Sequence, residues 1–249
     1  MARDIVINLL AFASAVEKGS SQSEFFAEAV SLGVNKIEVR REWIKNFAVE
    51  LPAMRSKAEE QGLELYYSVP AGLFQAGRAN ADFLNQIFAE ANILGAVRVK
   101  FAVGEFDSSA PKELAVLKSI INENHVMVTV EGDQSLANGR VEPIISLLEA
   151  CRAADVPVFS TFDVGNFVWV GQEPLYNAVK LALYVKYIHV KGVKMTTQGP
   201  RVCNLEDSHI NWRAVLALLP QDVPVGIEFP CGENPLKLLE RTIHQIREV

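Results

Sequence analysis

The sequence predicts a closed (β/α)8 TIM barrel of the α/β class, with eight parallel strands and outer helices, on three observations. The chain has 249 residues and 27.5 kDa, close to the size at which eight βα units close on themselves. Eight apolar, β-branched runs recur along it, and their starts lie 27 to 38 residues apart, the length of a strand, a helix and two connections. The segments between them carry apolar residues at helical spacing, with no linker, composition break or low-complexity stretch. That uninterrupted alternation favours a barrel over a doubly wound sheet and implies one domain over residues 1–249.

The opening MARDIVINLLAFASAV imitates a secretory leader, because its apolar run ends near Ala13-Ser14-Ala15. Asp4 cancels Arg3, however, and Asn8 interrupts the run, so IVINLLAF from Ile5 is expected to be the first strand. KIEVR from Lys36, LELYYSV from Leu63 and VRVKFAV from Val97 supply the second to fourth. VMVTVE from Val126, VFSTFDV from Val158, YIHVKGV from Tyr187 and VGIEF from Val225 complete the set. Between strands, stripes such as Phe25, Phe26, Ala29, Val30 and Phe83, Leu84, Ile87, Phe88, Ala91 would face a sheet. Ser23 is placed to cap a helix at Glu24, Pro111 and Pro174 suit first helical turns, and Asn234-Pro235 opens the last helix. Gly33, Gly62 and Gly95 each follow a helix, where a left-handed cap favours glycine. Trp212 is expected in the core, His125 at the amino end of the fifth strand and His244 on an exposed last helix. The segment from Thr196 to Ile210, which holds His209, is long enough to fold back over the opening.

Composition narrows the partners. Lys+Arg number 24 against 30 Asp+Glu, a net charge of -6, so no global positive field concentrates nucleic acid or an anionic membrane. No other segment approaches the ~18 uninterrupted apolar residues that span a bilayer. The three cysteines, Cys151, Cys203 and Cys231, cannot all pair and show no CxxC spacing, which fits a reducing cytoplasm. Neither a GxxxxGK[ST] loop nor a GxGxxG turn is present. A small-molecule partner is therefore expected, with symmetric self-association into a homo-oligomer as the general tendency of soluble enzymes.

In a closed barrel, reactive groups lie at the carboxyl ends of strands. Those ends carry Glu38 and Arg40 on the second strand, Lys100 on the fourth, Glu131 on the fifth, Asp163 on the sixth, His189 and Lys191 on the seventh, and Glu228 on the eighth. Glu131, Asp163, His189 and Glu228 each sit inside or at the end of a run that should otherwise be buried. Unpaired, three carboxylates there would be poorly solvated and would repel one another. A divalent cation removes both penalties, and carboxylate oxygens with one imidazole suit Mn²⁺ or Mg²⁺, with Co²⁺ or Zn²⁺ as substitutes. Taken singly, each residue has a plainer reading as a salt-bridge partner or a hydrogen-bonded core residue.

The order Glu, Asp, His, Glu in VTVEGD, FSTFDVGN, YIHVKGV and GIEFP resembles the sugar phosphate isomerase/epimerase group of the xylose isomerase-like TIM barrels, over nearly the whole chain. The resemblance implies a divalent ion held by Glu131, Asp163, His189 and Glu228, with Glu131 and Glu228 also moving protons. It implies a sugar isomerase or epimerase acting on a small sugar, sugar acid or sugar phosphate by proton transfer through a metal-stabilised enediolate. Two departures weigh against a free-ketohexose epimerase. Members of that kind carry a histidine three residues after the aspartate and an arginine six after the metal histidine, where this chain has Asn166 and Met195. Many members also follow the seventh-strand lysine with Asp, whereas Lys191 precedes Gly192.

Further residues are candidates for substrate binding: Glu38, Arg40, Lys100, Asn166, Lys191 and Trp169. Lys191 shares the inward parity of His189, and Arg40 that of Glu38, so a phosphate or carboxylate handle could meet them together with Lys194 or Arg201. The same cations could instead neutralise the acids of the rim. Trp43, Phe167 and Trp169 fall in loops above the site, where they could pack on a sugar or simply on the barrel. Competing activities are a metal-dependent dehydratase of a sugar acid or cyclic hydroxyacid and a non-catalytic sugar-binding barrel. A histidine-rich multi-metal nuclease is disfavoured, with four histidines and one of them at a ligand position.

Overall fold

A computed structural model describes residues 3–249, so the first two residues of the predicted unit lie outside the described residues. Eight parallel strands close into a barrel, as the spacing predicts. They are β1 (Ile5–Asn8), β2 (Lys36–Arg40), β3 (Glu64–Phe74), β4 (Ala96–Gly104), β5 (Met127–Glu131), β6 (Val158–Asp163), β7 (Val185–Val190) and, last in the chain, β10 (Val225–Ile227). β10 pairs with both β7 and β1, which seals the ring. Two further strands, β8 (Gly192–Thr196) and β9 (Gly199–Cys203), form an antiparallel hairpin outside the barrel.

The connections are helical: α1 (Ala13–Glu17), α2 (Phe26–Ser31), α3 (Phe47–Gln61), α4 (Ala81–Leu94), α5 (Pro111–Asn124), α6 (Val141–Ala153), α7 (Pro174–Leu181), α8 (Trp212–Leu218) and α9 (Pro235–Arg247). Pro111, Pro174 and Pro235 occupy first turns, and Gly62 and Gly95 close α3 and α4 in the left-handed conformation. The approach to α2, within the connection from β1 to β2, differs from expectation. Ser21, not Ser23, caps it: its hydroxyl and the Glu24 carboxylate satisfy each other's backbone N–H in a capping box, and one 3-10 turn precedes α2. β1 is also shorter than the apolar run, because the Asn8 side chain accepts from Leu10 N–H and turns the chain into a 3-10 helix over Leu9–Phe12.

Alternation along the strands sorts residues into two cores. Outward residues such as Ile7, Ile37, Val99, Phe101, Val128, Val130, Ile188 and Val190 are buried against the helices, with Phe26, Leu84, Phe88, Leu117, Leu147 and Leu239 opposite. Inward residues form a separate small core of Val6, Tyr66 and Tyr187 near the amino end. Arg98 lies across both tyrosine rings, 4.9 and 5.1 Å from their centroids, and donates to the Lys186 carbonyl at 2.7 Å. Gly226 on β10 leaves the volume that the Tyr187 phenol fills, since a Cβ there would collide with the phenol oxygen. Beside this aromatic floor Thr161, in register with Tyr187, donates to Thr129 at 2.8 Å, and the acids begin one layer higher.

Candidate metal centre

Each ionisable residue of the centre has the inward parity of its strand, one layer above Tyr66 and Tyr187. Asp163 on β6 is in register with His189 on β7, and His189 with Gly226, which places Glu228 just above. Glu131, Asp163, His189 and Glu228 are all buried, and one ligand atom from each lies within 4.8 Å of the others.

His189 organises the group. Its Nε2 faces Glu38 Oε2 at 2.7 Å, while Nδ1 faces Glu131 Oε1 at 2.8 Å and Glu228 Oε2 at 3.4 Å. Glu38 Oε2 also accepts from Tyr187 Oη at 2.9 Å and Asn8 Nδ2 at 2.8 Å. A carboxylate behind an imidazole fixes which nitrogen points at a ligand, an arrangement common behind metal-bound histidines. Burial by itself lowers the His189 pKa, but Glu38, Glu228 and Glu131 together raise it well above the usual value. The metal-free ring is therefore an imidazolium that donates from both nitrogens.

The acids are held in different states. Burial disfavours ionisation of Glu131, yet Lys100 and His189 bring its pKa down to about 2. Glu228 is likewise lowered against burial, by Lys191 and His189. Asp163 goes the other way: burial raises its pKa to about 7, and Lys191 offsets this only in part. Its Oδ1 accepts from Gly165 N and Asn166 N, both at 2.7 Å, in the turn that DVGN forms. Its Oδ2 is buried and accepts no hydrogen bond; Lys191 Nζ is 3.1 Å away but poorly aligned. Three carboxylates and an imidazole within ligand distance, one oxygen without a hydrogen bond and one nitrogen fixed in orientation form a donor set that fits a divalent cation.

This ionisation pattern predicts pH-linked binding. A metal takes the Nδ1 lone pair, so binding at pH 8 should release about one proton, from His189, and binding below pH 7 should release a second from Asp163. Affinity then falls as pH falls, and more steeply below about 7. Calorimetry in buffers of different ionisation enthalpy counts the protons; pH-independent affinity between 6 and 8 would contradict the assignment.

Above the centre lies a cavity of about 340 Å³, walled by Arg40, Lys100, Glu131, Asn166, Lys191 and Glu228 together with Val69, Pro70, Ala102, Asp133 and Gln134. Four of the six predicted substrate-binding residues are thus on its wall. Glu38 is not: it is fully buried behind His189, where its Oε2 meets the ring, Tyr187 and Asn8 and its Oε1 has no hydrogen-bond partner. Trp169 also lies off the wall, half-buried in the 3-10 segment Asn166–Val170, and Phe167 packs on Phe162 with centroids 5.3 Å apart. Trp43 supports Arg40, whose guanidinium carbon sits 5.4 Å from its ring centroid. Lys194 and Arg201 pair across the exposed hairpin, as does Met195 with Pro200, and none of them reaches the cavity. The hairpin accounts for Gly192, because a Cβ there would collide with the Asn204 carbonyl. His209 is exposed, and its Nδ1 accepts from Met195 N–H at 3.2 Å, which braces the hairpin. His244 is exposed on α9.

The closed barrel with this rim defines a protein with the fold of the xylose isomerase-like TIM barrels. The sequence matches no family model and no curated protein, whereas many solved structures share the fold. One is the probable 3-DHS dehydratase AsbF, involved in petrobactin synthesis, from Bacillus anthracis, with TM-score 0.70, 15% identity and 97% of each chain covered. Another is L-ribulose 3-epimerase, with TM-score 0.70 and 14% identity over 100% of this chain and 96% of that one. A third is a xylose isomerase-like TIM barrel protein from Mycobacterium smegmatis in complex with magnesium, with TM-score 0.67 and 13% identity over 99% and 96% of the two chains. Among the described residues, no helix is long and apolar enough to cross a membrane.

Proposed function

We propose that this protein is a divalent-metal-dependent isomerase or epimerase of a small sugar, sugar acid or sugar phosphate. The reading rests on one observation: two acids, Glu131 and Glu228, border both the candidate metal centre and the same polar cavity. Mn²⁺ or Mg²⁺ suits the donor set of Glu131, Asp163, His189 and Glu228. When bound, the ion polarises the carbonyl and hydroxyl oxygens of a sugar, which acidifies the intervening C–H. One glutamate then takes the proton from carbon and the other returns it. Return to the opposite face of the same carbon inverts it; return to the neighbouring carbon, with a shift between oxygens, interconverts aldose and ketose. Arg40, Lys100 and Lys191 on the wall suit a substrate that carries a carboxylate or phosphate.

A dehydratase of a sugar acid or cyclic hydroxyacid is the second reading, since the same base can expel a β-hydroxyl; the cationic wall and the fold shared with a probable dehydratase favour it. The test is a panel of ketoses, aldoses, their phosphates and sugar acids in D₂O, with added Mn²⁺ or Mg²⁺ and with chelator. Metal-dependent incorporation of deuterium at carbon, with no loss of water, is expected. Loss of water from the product would establish the lyase instead, and sugar binding without exchange or mass change would reject catalysis.

A further inference from the structure

The three acids of the centre meet three cations of the same chain besides His189. Lys191 Nζ bridges two of the candidate ligands, 2.7 Å from Glu228 Oε2 and 3.1 Å from Asp163 Oδ2. Lys100 Nζ is 2.6 Å from Glu131 Oε2, and Arg40 Nη1 is 3.2 Å from Glu228 Oε1. Lys191 is seated for this contact. Its stem fills the space beside Gly165, where a Cβ would come within 2.6 Å of its Cγ, and its side chain is 6% exposed. A buried ammonium loses much of its hydration, which only close anionic partners restore. Here those partners are the oxygens that a divalent ion would also need.

We propose that Lys191 is an internal cation exchanged for the metal: its ammonium holds Asp163 and Glu228 together in the metal-free protein and must leave them when an ion binds. The inference rests on the metal reading of the quartet. A partner for the displaced ammonium is already in place, since Nζ lies 3.2 Å from Asn166 Oδ1 on the cavity wall. Two positive charges of the ion then replace one, while Lys191 joins Arg40 and Lys100 as cations facing the cavity. The metal-loaded cavity is more positive than the metal-free one, so metal and an anionic ligand bind with positive coupling, and by linkage each tightens the other. The chemical class of ligand so favoured is a carboxylate- or phosphate-bearing sugar.

The experiment is titration of the wild-type protein and of Lys191→Gln with Mn²⁺, in chloride and in sulfate at equal ionic strength, read by the free-ion electron paramagnetic resonance signal. Removing a fixed charge 2.7 and 3.1 Å from two ligand oxygens should tighten Mn²⁺ binding by about tenfold or more in chloride. Sulfate should tighten Mn²⁺ binding to the wild type and have a smaller effect on the variant. The metal-free variant should also melt at a lower temperature than the wild type, with Mn²⁺ restoring the difference; Lys191→Met serves if Lys191→Gln does not fold. Mn²⁺ binding to the variant that is no tighter than to the wild type overturns the exchange, and an unaltered wild-type affinity in sulfate overturns the coupling. If neither protein binds Mn²⁺ or Mg²⁺, the metal reading itself fails.

Discussion

Glu228→Gln is expected to lower metal-dependent deuterium incorporation into substrate by about 10²–10⁴-fold, the range for loss of a positioned acid or base. Glu228 Oε1 faces Arg40 and Oε2 faces Lys191 and His189, and the residue lies on the cavity wall. The amide keeps the volume and can still accept hydrogen bonds, so the barrel should still unfold cooperatively. Some of the loss will come from weaker metal binding, because the amide is a poorer ligand. Measuring exchange at saturating Mn²⁺ removes that contribution. Exchange at the wild-type rate under those conditions would take Glu228 out of proton transfer and leave it a ligand alone.

The second large effect is expected at a residue that reaches neither the cavity nor the ion. Glu38→Gln should weaken Mn²⁺ binding by about 10–100-fold, the usual consequence of losing the group that orients a metal-binding histidine. Glu38 is fully buried, and its Oε2 gathers His189, Tyr187 and Asn8. The amide carries no charge to hold the proton on Nε2, so the ring is freer to present the wrong nitrogen. A substrate-contacting role, by contrast, would raise KM and leave metal affinity alone. Parallel titrations of Mn²⁺ and of substrate separate the two, and an unchanged Mn²⁺ affinity would reject the orienting role.

The barrel was legible because its signal is global. Eight apolar runs at a steady spacing survive errors at any one boundary, and the boundaries did shift: β3 and β4 extend to Phe74 and Gly104, beyond their apolar runs, and pair there past an irregularity between Ser68 and Gly72. The convergence of Glu131, Asp163, His189 and Glu228 was legible for a related reason, since strand parity and a common rim fix inward direction without knowledge of side chains. Less visible was what each group does when it arrives. Glu38 and Arg40 share a parity, but one layer of depth puts Glu38 behind the histidine and Arg40 on the wall. Asn8 and Tyr187 were missed as supports, although signals were present. Asn8 breaks the apolar run of β1 at the same rim, and Tyr187 lies two residues before His189 and so points the same way. The hairpin of β8 and β9 was hidden because Lys194–Thr196 and Arg201–Val202 are exposed, which leaves buried Val193 without an alternating apolar stripe to mark the strands.

The geometry is compatible with both readings of the rim charges, ligands for an ion and partners for the chain's own cations. The acids converge as a metal centre does, and they also pair with Lys100, Lys191 and Arg40. Which role dominates is a matter of affinity. The direct measurement is the stoichiometry of bound Mn²⁺ at pH 8 for the wild type and for Asp163→Asn, the one acid of the quartet with a buried oxygen that accepts no hydrogen bond. One ion per wild-type chain is expected, with binding lost or greatly weakened in the variant. Equal binding by the two proteins, or none by the wild type, would contradict a metal centre at the end of these four strands.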